Sequence, residues 1–97
     1  MQTAIDIGTL IVKTPEVCSS RPRISGTRVT VQTIAMDFNT GMKPENIISE
    51  RVHLTPSQVY AALAYYYANK EMIDSEIAIY YEEFNRLETG FQSGQQT

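Results

Sequence analysis

The chain is poor in the residues that build reactive or cross-linked sites. It holds one cysteine, Cys18, and one histidine, His53. A lone cysteine excludes an intramolecular disulfide framework. One Cys and one His fall short of the roughly four ligands that a structural zinc site needs, so no metal centre and no cofactor is expected. No apolar run approaches the ~20 residues that cross a bilayer. The first residues, Met1-Gln2-Thr3-Ala4-Ile5-Asp6, lack a basic segment followed by an apolar one. The expectation is a cytoplasmic protein without membrane contact. Paired carboxylates, a nucleophile elbow and a phosphate-binding glycine loop are also missing. The chain therefore reads as a non-enzyme with no catalytic residue, Cys18 as packing and His53 as a surface side chain.

What remains suits one small domain. The 97 residues are 42% hydrophobic and 20% charged, enough to collapse around a core without staples. The expected organisation is a single domain over 1–89 and a flexible polar tail over 90–97. A net charge of -3 argues against gripping nucleic acid through the overall field. The charge is uneven: residues 1–51 carry six Lys/Arg and five Asp/Glu, and residues 52–97 carry two and six. Arg21, Arg23 and Arg28 fall within eight residues that hold no acid. They either pair with acids elsewhere in the fold or form an edge for phosphate or an acidic partner.

Local patterning predicts a mainly α protein with a short β element in front. Leu10-Ile11-Val12-Lys13-Thr14, bounded by Pro15, reads as a strand, and Arg23-Ile24 as a second before a turn at Gly26. Val31, Ile34, Ala35 and Phe38 mark the buried face of a helix capped by Thr30 and ended at Gly41. Pro44 opens a short helix to about Arg51, with Lys43 a poor cap. Thr55-Pro56-Ser57-Gln58 has the form of a capping box, and its helix runs to about Ala68 with Val59, Ala62, Leu63 and Tyr66 inside. A last helix spans about Lys70 to Leu87. Its Ile73, Ile77, Tyr80, Phe84 and Leu87 follow the spacing of an a/d seam.

Two surfaces stand out. The helices at 44–50 and 55–68, joined by a tight connection, form a helix-turn-helix candidate, although the connection lacks the glycine often found there. A plain helical hairpin has the same outline. In the first reading Ser57, Gln58 and Tyr60 project from the leading turn toward base edges. Ala61 and Tyr65 lie farther along the same face. Arg21, Arg23, Arg28 and Arg51 contact phosphates, with His53 near them. A symmetric dimer then sets two such helices about 34 Å apart. The second surface is aromatic. Six tyrosines exceed what one core absorbs, although Tyr66 and Tyr80 fit core packing with the hydroxyl at the surface. Tyr65, Tyr67, Ile73, Ile77, Tyr80 and Phe84 form a candidate interface, with a homodimer as the expected assembly.

Three strings resemble a known family: Arg21-Pro22-Arg23-Ile24-Ser25-Gly26-Thr27-Arg28-Val29, Gly41-Met42-Lys43-Pro44-Glu45-Asn46-Ile47, and His53-Leu54-Thr55 with Val59-Tyr60-Ala61-Ala62-Leu63-Ala64-Tyr65. Together they are similar to the bacterial domain-of-unknown-function family four-three-three, described as Vap-type antitoxin-like, over about residues 10–78. The resemblance implies a homeodomain-like helix-turn-helix bundle of about four helices, dimers, and a nuclease-like toxin protein as neighbour and partner. The chain departs from the family where Ser19 and Ser20 stand in place of glycines and where Lys43 replaces a Ser or Thr cap. Two functions follow as expectations. One is an antitoxin-like, DNA-binding repressor that also binds its toxin. The other is a protein-interaction module that uses the tyrosine-rich helical face and the front strand without touching DNA.

Overall fold

The computed structural model describes the backbone of residues 4–96 and the side chains of 4–18 and 20–88. Two short strands precede four helices: β1 (Ile11–Val12), β2 (Arg23–Ile24), α1 (Val31–Asn39), α2 (Pro44–Glu50), α3 (Pro56–Ala68) and α4 (Lys70–Gln96). The strands are antiparallel, with Ile11 opposite Ile24 and Val12 opposite Arg23. So small a ribbon is not stable alone. It survives because Ile24, fully buried, plugs into the helical core. Between the strands the backbone turns through Glu16, Cys18 and Ser20 at φ 66°, 51° and 60°. Three non-glycine residues in the left-handed region make this a strained loop. It is tied by Val17 N–H to the Thr14 carbonyl at 3.1 Å and by Glu16 N–H to the Ser20 hydroxyl at 3.3 Å.

The helix ends follow local chemistry. Thr30 caps α1 by accepting from Thr33 N–H at 3.1 Å. Gly41 follows α1 at φ +102°, a conformation that a Cβ would strain. The α2 cap, Lys43, makes no side-chain bond to the helix, and Pro44 takes the first helical position. Thr55 and Gln58 close the expected capping box on α3.

The core gathers Ile24, Val31, Ile34, Ala35, Ile47, Leu54, Val59, Ala62, Leu63, Tyr66, Ile73 and Ile77. Helix α3 is its axis: α1, α2, α4 and both strands pack on it. Packed on so many sides, α3 is held within the body along most of its length. Ala61, expected outside, is buried, because the front strand and the turn at Ile7–Thr9 pack against α3. Only a strip through Ser57, Tyr60, Ala64 and Tyr67 stays open.

Asn69 alone separates α3 from α4, and one polar cluster sets the angle between them. The buried Tyr66 hydroxyl donates to Asp74 Oδ1 at 2.6 Å and accepts from Asn39 Nδ2 at 3.2 Å. Lys70 Nζ meets Asp74 Oδ2 at 2.7 Å, one turn away, and its ammonium stands 5.6 Å from the centre of the Tyr66 ring. The hydrogen bond from Lys70, then that from Tyr66, holds the Asp74 carboxyl below its ordinary 3.8. The sequence reading stops the last helix near Leu87, whereas the backbone is helical to Gln96. The side chains from residue 89 onward, which take in the expected tail of 90–97, lie outside the described residues.

Candidate functional site

The leading turn of α3 is open to solvent but turned toward its own backbone. Gln58 Oε1 accepts from Thr55 N–H at 2.8 Å, and Thr55 Oγ1 accepts from Gln58 N–H at 3.3 Å. Ser57 Oγ lies 3.1 Å from Thr55 Oγ1. The Tyr60 hydroxyl donates to Glu45 Oε1 at 3.2 Å. Desolvation first, and the Glu45 carboxylate second, raise that hydroxyl above its ordinary 10.0. Between Pro56 and Ala68 there is no charged residue, and α2 beside it carries Glu45 and Glu50. A helix that enters a groove between phosphates normally gains from lysines and arginines at its edges, and α3 has none.

The arginines divide. Arg23 braces the front ribbon: Nη1 donates to the Thr27 carbonyl and Nη2 to Thr14 Oγ1, both at 2.9 Å. Arg51 is held by Asp37, with Nε and Nη2 each 3.0 Å from Oδ2. Arg21 and Arg28 are exposed, and among the described residues neither has a carboxylate within ion-pair distance. Of the two readings of the arginine trio, Arg23 follows neither, because its partners are neutral oxygens inside the loop. Cys18 is half-buried, its thiol donating to the Arg28 carbonyl at 3.5 Å.

The aromatic surface divides at the edge of the body. Ile73 and Ile77 are 2% and 8% exposed. They belong to the core, which corrects their placement in an intermolecular interface: the first two turns of α4 pack on α1 and α3. Tyr65 is half-buried against that core. Tyr67 is exposed and meets Phe38 edge-on at 6.0 Å. Past Ile77 the seam leaves the body. Tyr80, Tyr81, Phe84 and Leu87 are 42%, 44%, 53% and 74% exposed. Tyr80 is thus not a core residue, since the body ends beside it. The Tyr80 and Tyr81 rings pack edge to face at 5.5 Å. Glu76, Glu82, Glu83 and Glu88 share this stretch with one cation, Arg86. Tyr81 and Leu87 are visible in the sequence as a tyrosine in excess and a seam position, but neither is placed in the interface there. From Ile77 to Gln96 the helix continues for roughly 28 Å at 1.5 Å per residue, and every described side chain past Ile77 is exposed. Contiguous exposed apolar surface with a polar rim marks an interaction site.

No helix among the described residues is long and apolar enough to cross a membrane. Among curated proteins none matches this sequence. A crystal structure of a DUF433 member protein from Anabaena variabilis is similar, with a TM-score of 0.67 and 36% identity over 72% of this chain and 69% of that one. The family model described as protein of unknown function (DUF433) matches residues 11–66, which take in the ribbon, the arginine loop and the α1–α3 core. With more than half of its length matched and the same fold in that relative, the chain belongs to the DUF433 family.

Proposed function

We propose that this protein is a protein-docking module whose working surface is the outer half of the α4 seam, Tyr80, Tyr81, Phe84 and Leu87. The observation that carries the reading is the division of one seam: Ile73 and Ile77 hold the helix to the body, and the same stripe continues into solvent with its aromatic rings uncovered. Tyrosine and phenylalanine are the side chains that concentrate binding energy at interfaces. The acids along α4 choose the partner. An apolar stripe beside Glu76, Glu83 and Glu88 complements an amphipathic helix with a basic rim, by the helix-in-groove mode. A second copy of α4 would set acid against acid. A nuclease-like toxin, the neighbour that the family resemblance implies, is one protein that fits if its docking segment is basic.

DNA binding is the second reading. It is favoured by the uncovered tip of α3 and by exposed Arg21 and Arg28. It ranks lower because α3 carries no charge and the Gln58 carbonyl is engaged by the Thr55 amide. Two assays separate the readings. Fluorescence anisotropy with a labelled amphipathic leucine/lysine peptide gives micromolar, salt-weakened binding that Tyr80→Ser with Phe84→Ser abolishes. An electrophoretic shift with the DNA upstream of the gene shows no complex at low salt. The reverse pattern would make the protein a DNA reader. A dimeric mass at micromolar concentration, lost in the same double variant, would assign the stripe to a second copy.

A further inference from the structure

A cleft of about 390 Å³ opens between the head of α1, the Cys18–Arg21 loop and Tyr80 on α4. Its lining includes a side chain that the fold leaves unsatisfied. Gln32 is only 7% exposed, and its Oε1 meets no partner. Its Nε2 reaches nothing better than Met36 Sδ at 4.0 Å, a weak acceptor. Turning the amide over leaves one polar atom just as unpaired. A buried primary amide whose oxygen has no partner and whose nitrogen reaches only a thioether is unfavourable, and such orphans in native structures call for a cause.

The other walls state what would satisfy it. Arg21 stands at the rim with an exposed guanidinium. It also borders a neighbouring cleft with Glu76 and Glu83. Asp37, across the cleft, is neutralised by Arg51 at 3.0 Å, so an anion is not repelled from that side. Met36 and Tyr80 supply an apolar wall. Small-molecule sites combine this way: mostly apolar, with a few convergent polar groups and a volume of roughly 300–1,000 Å³.

We propose that this cleft binds a small carboxylate carrying an amide, the carboxylate on Arg21, the amide paired with Gln32 and an apolar group between Met36 and Tyr80. The cleft shares Tyr80 with the outer α4 stripe, but its polar anchors, Arg21 and Gln32, lie off that stripe, so the proposal does not depend on the docking reading. The carboxyl end of a peptide has the same chemistry, and the test distinguishes it.

The test is a backbone-amide NMR titration of the full-length protein with hippurate, which joins a benzoyl ring, an amide and a carboxylate. Saturable shifts at Arg21, Gln32 and Thr33 in about the millimolar range suit so small a ligand. The methyl ester of hippurate, Arg21→Gln and Gln32→Leu should each weaken binding by about fivefold or more, the factor of one hydrogen bond. Gln32→Leu should melt at or above the wild-type temperature, because it removes an unpaired buried amide. Its loss of binding is therefore not a loss of fold, and the exposed Arg21→Gln is a second check. An acetylated tripeptide acid that binds no tighter than hippurate supports a small molecule, and tighter binding would overturn that assignment. Absence of saturable shifts up to the solubility of hippurate, or shifts that Gln32→Leu leaves unchanged, would overturn the site.

Discussion

Two substitutions on one seam should behave as if they belonged to different proteins. Ile73→Ala removes a side chain that is 2% exposed and sits in the core cluster. Losing the transfer energy of those methylenes and leaving a cavity costs about 2–5 kcal/mol. That is a large share of the roughly 5–15 kcal/mol available to a domain. Since each kcal/mol moves the melting temperature of a domain this size by about 4–8 °C, the loss should be roughly 8–40 °C. Phe84→Ser, eleven residues on, touches a ring that is 53% exposed and lies beyond the body. Surface changes of that kind stay within about 0.5 kcal/mol, or less than about 4 °C. Thermal melts followed by circular dichroism at several protein concentrations compare the two. A Phe84→Ser loss as large as that of Ile73→Ala would mean that the outer stripe is already buried in the protein alone, and would overturn its assignment as a free surface. A melting temperature that rises with concentration and falls with Phe84→Ser would identify self-association as the cover.

Three further outcomes follow. Thr55→Ala opens the capping box and should destabilise by about 1 kcal/mol, read as a lower urea midpoint with unchanged slope. Gly41→Ala should cost about 1–2 kcal/mol through backbone conformation alone: a Cβ there meets nothing within 4 Å, but φ is +102°, so an unchanged midpoint would show that the turn relaxes freely. Asp74 gives a pH signature: its folded pKa lies below 3.8, so its stabilisation is complete above that value and is lost as pH falls through the folded pKa. Urea midpoints from pH 6 to pH 2.5 should therefore fall further for the wild type than for Asp74→Asn, and parallel curves would contradict the Tyr66–Asp74–Lys70 linkage.

Much of the local structure was legible because it depends on neighbours in sequence. The capping box at Thr55 and Gln58, the proline at the start of α2, the turn at Gly41 and the buried face of α1 each follow from residues within a few positions. What failed to show depends on distant contacts. Spacing identifies the face of the α4 seam but not how far the body extends beneath it, so Ile77 and Tyr80 look alike in sequence and differ in burial. The arginine loop reads as a patch of charge, yet Arg23 is turned inward by Thr27 and Thr14, partners that only the folded ribbon brings within reach. Ala61 looks outward until the front strand and the Ile7–Thr9 turn pack on α3. Gly90 and the polar residues after it suggest that the last helix ends early. A helical glycine costs only about 1 kcal/mol, and the backbone continues to Gln96. Gln32 gives no signal, because a glutamine beside an apolar position is ordinary until its burial and missing partner are seen.

On the docking proposal, the stripe past Ile77 receives a basic amphipathic helix. Calorimetric titration of the full-length protein with the leucine/lysine peptide, beside a scrambled peptide of equal charge, tests it most directly. Micromolar binding with a negative heat-capacity change is expected, at least about tenfold weaker for the scrambled peptide and for the Tyr80→Ser, Phe84→Ser variant, a loss of roughly 1.4 kcal/mol or more. Equal binding of both peptides, or binding that the double variant leaves intact, would contradict it.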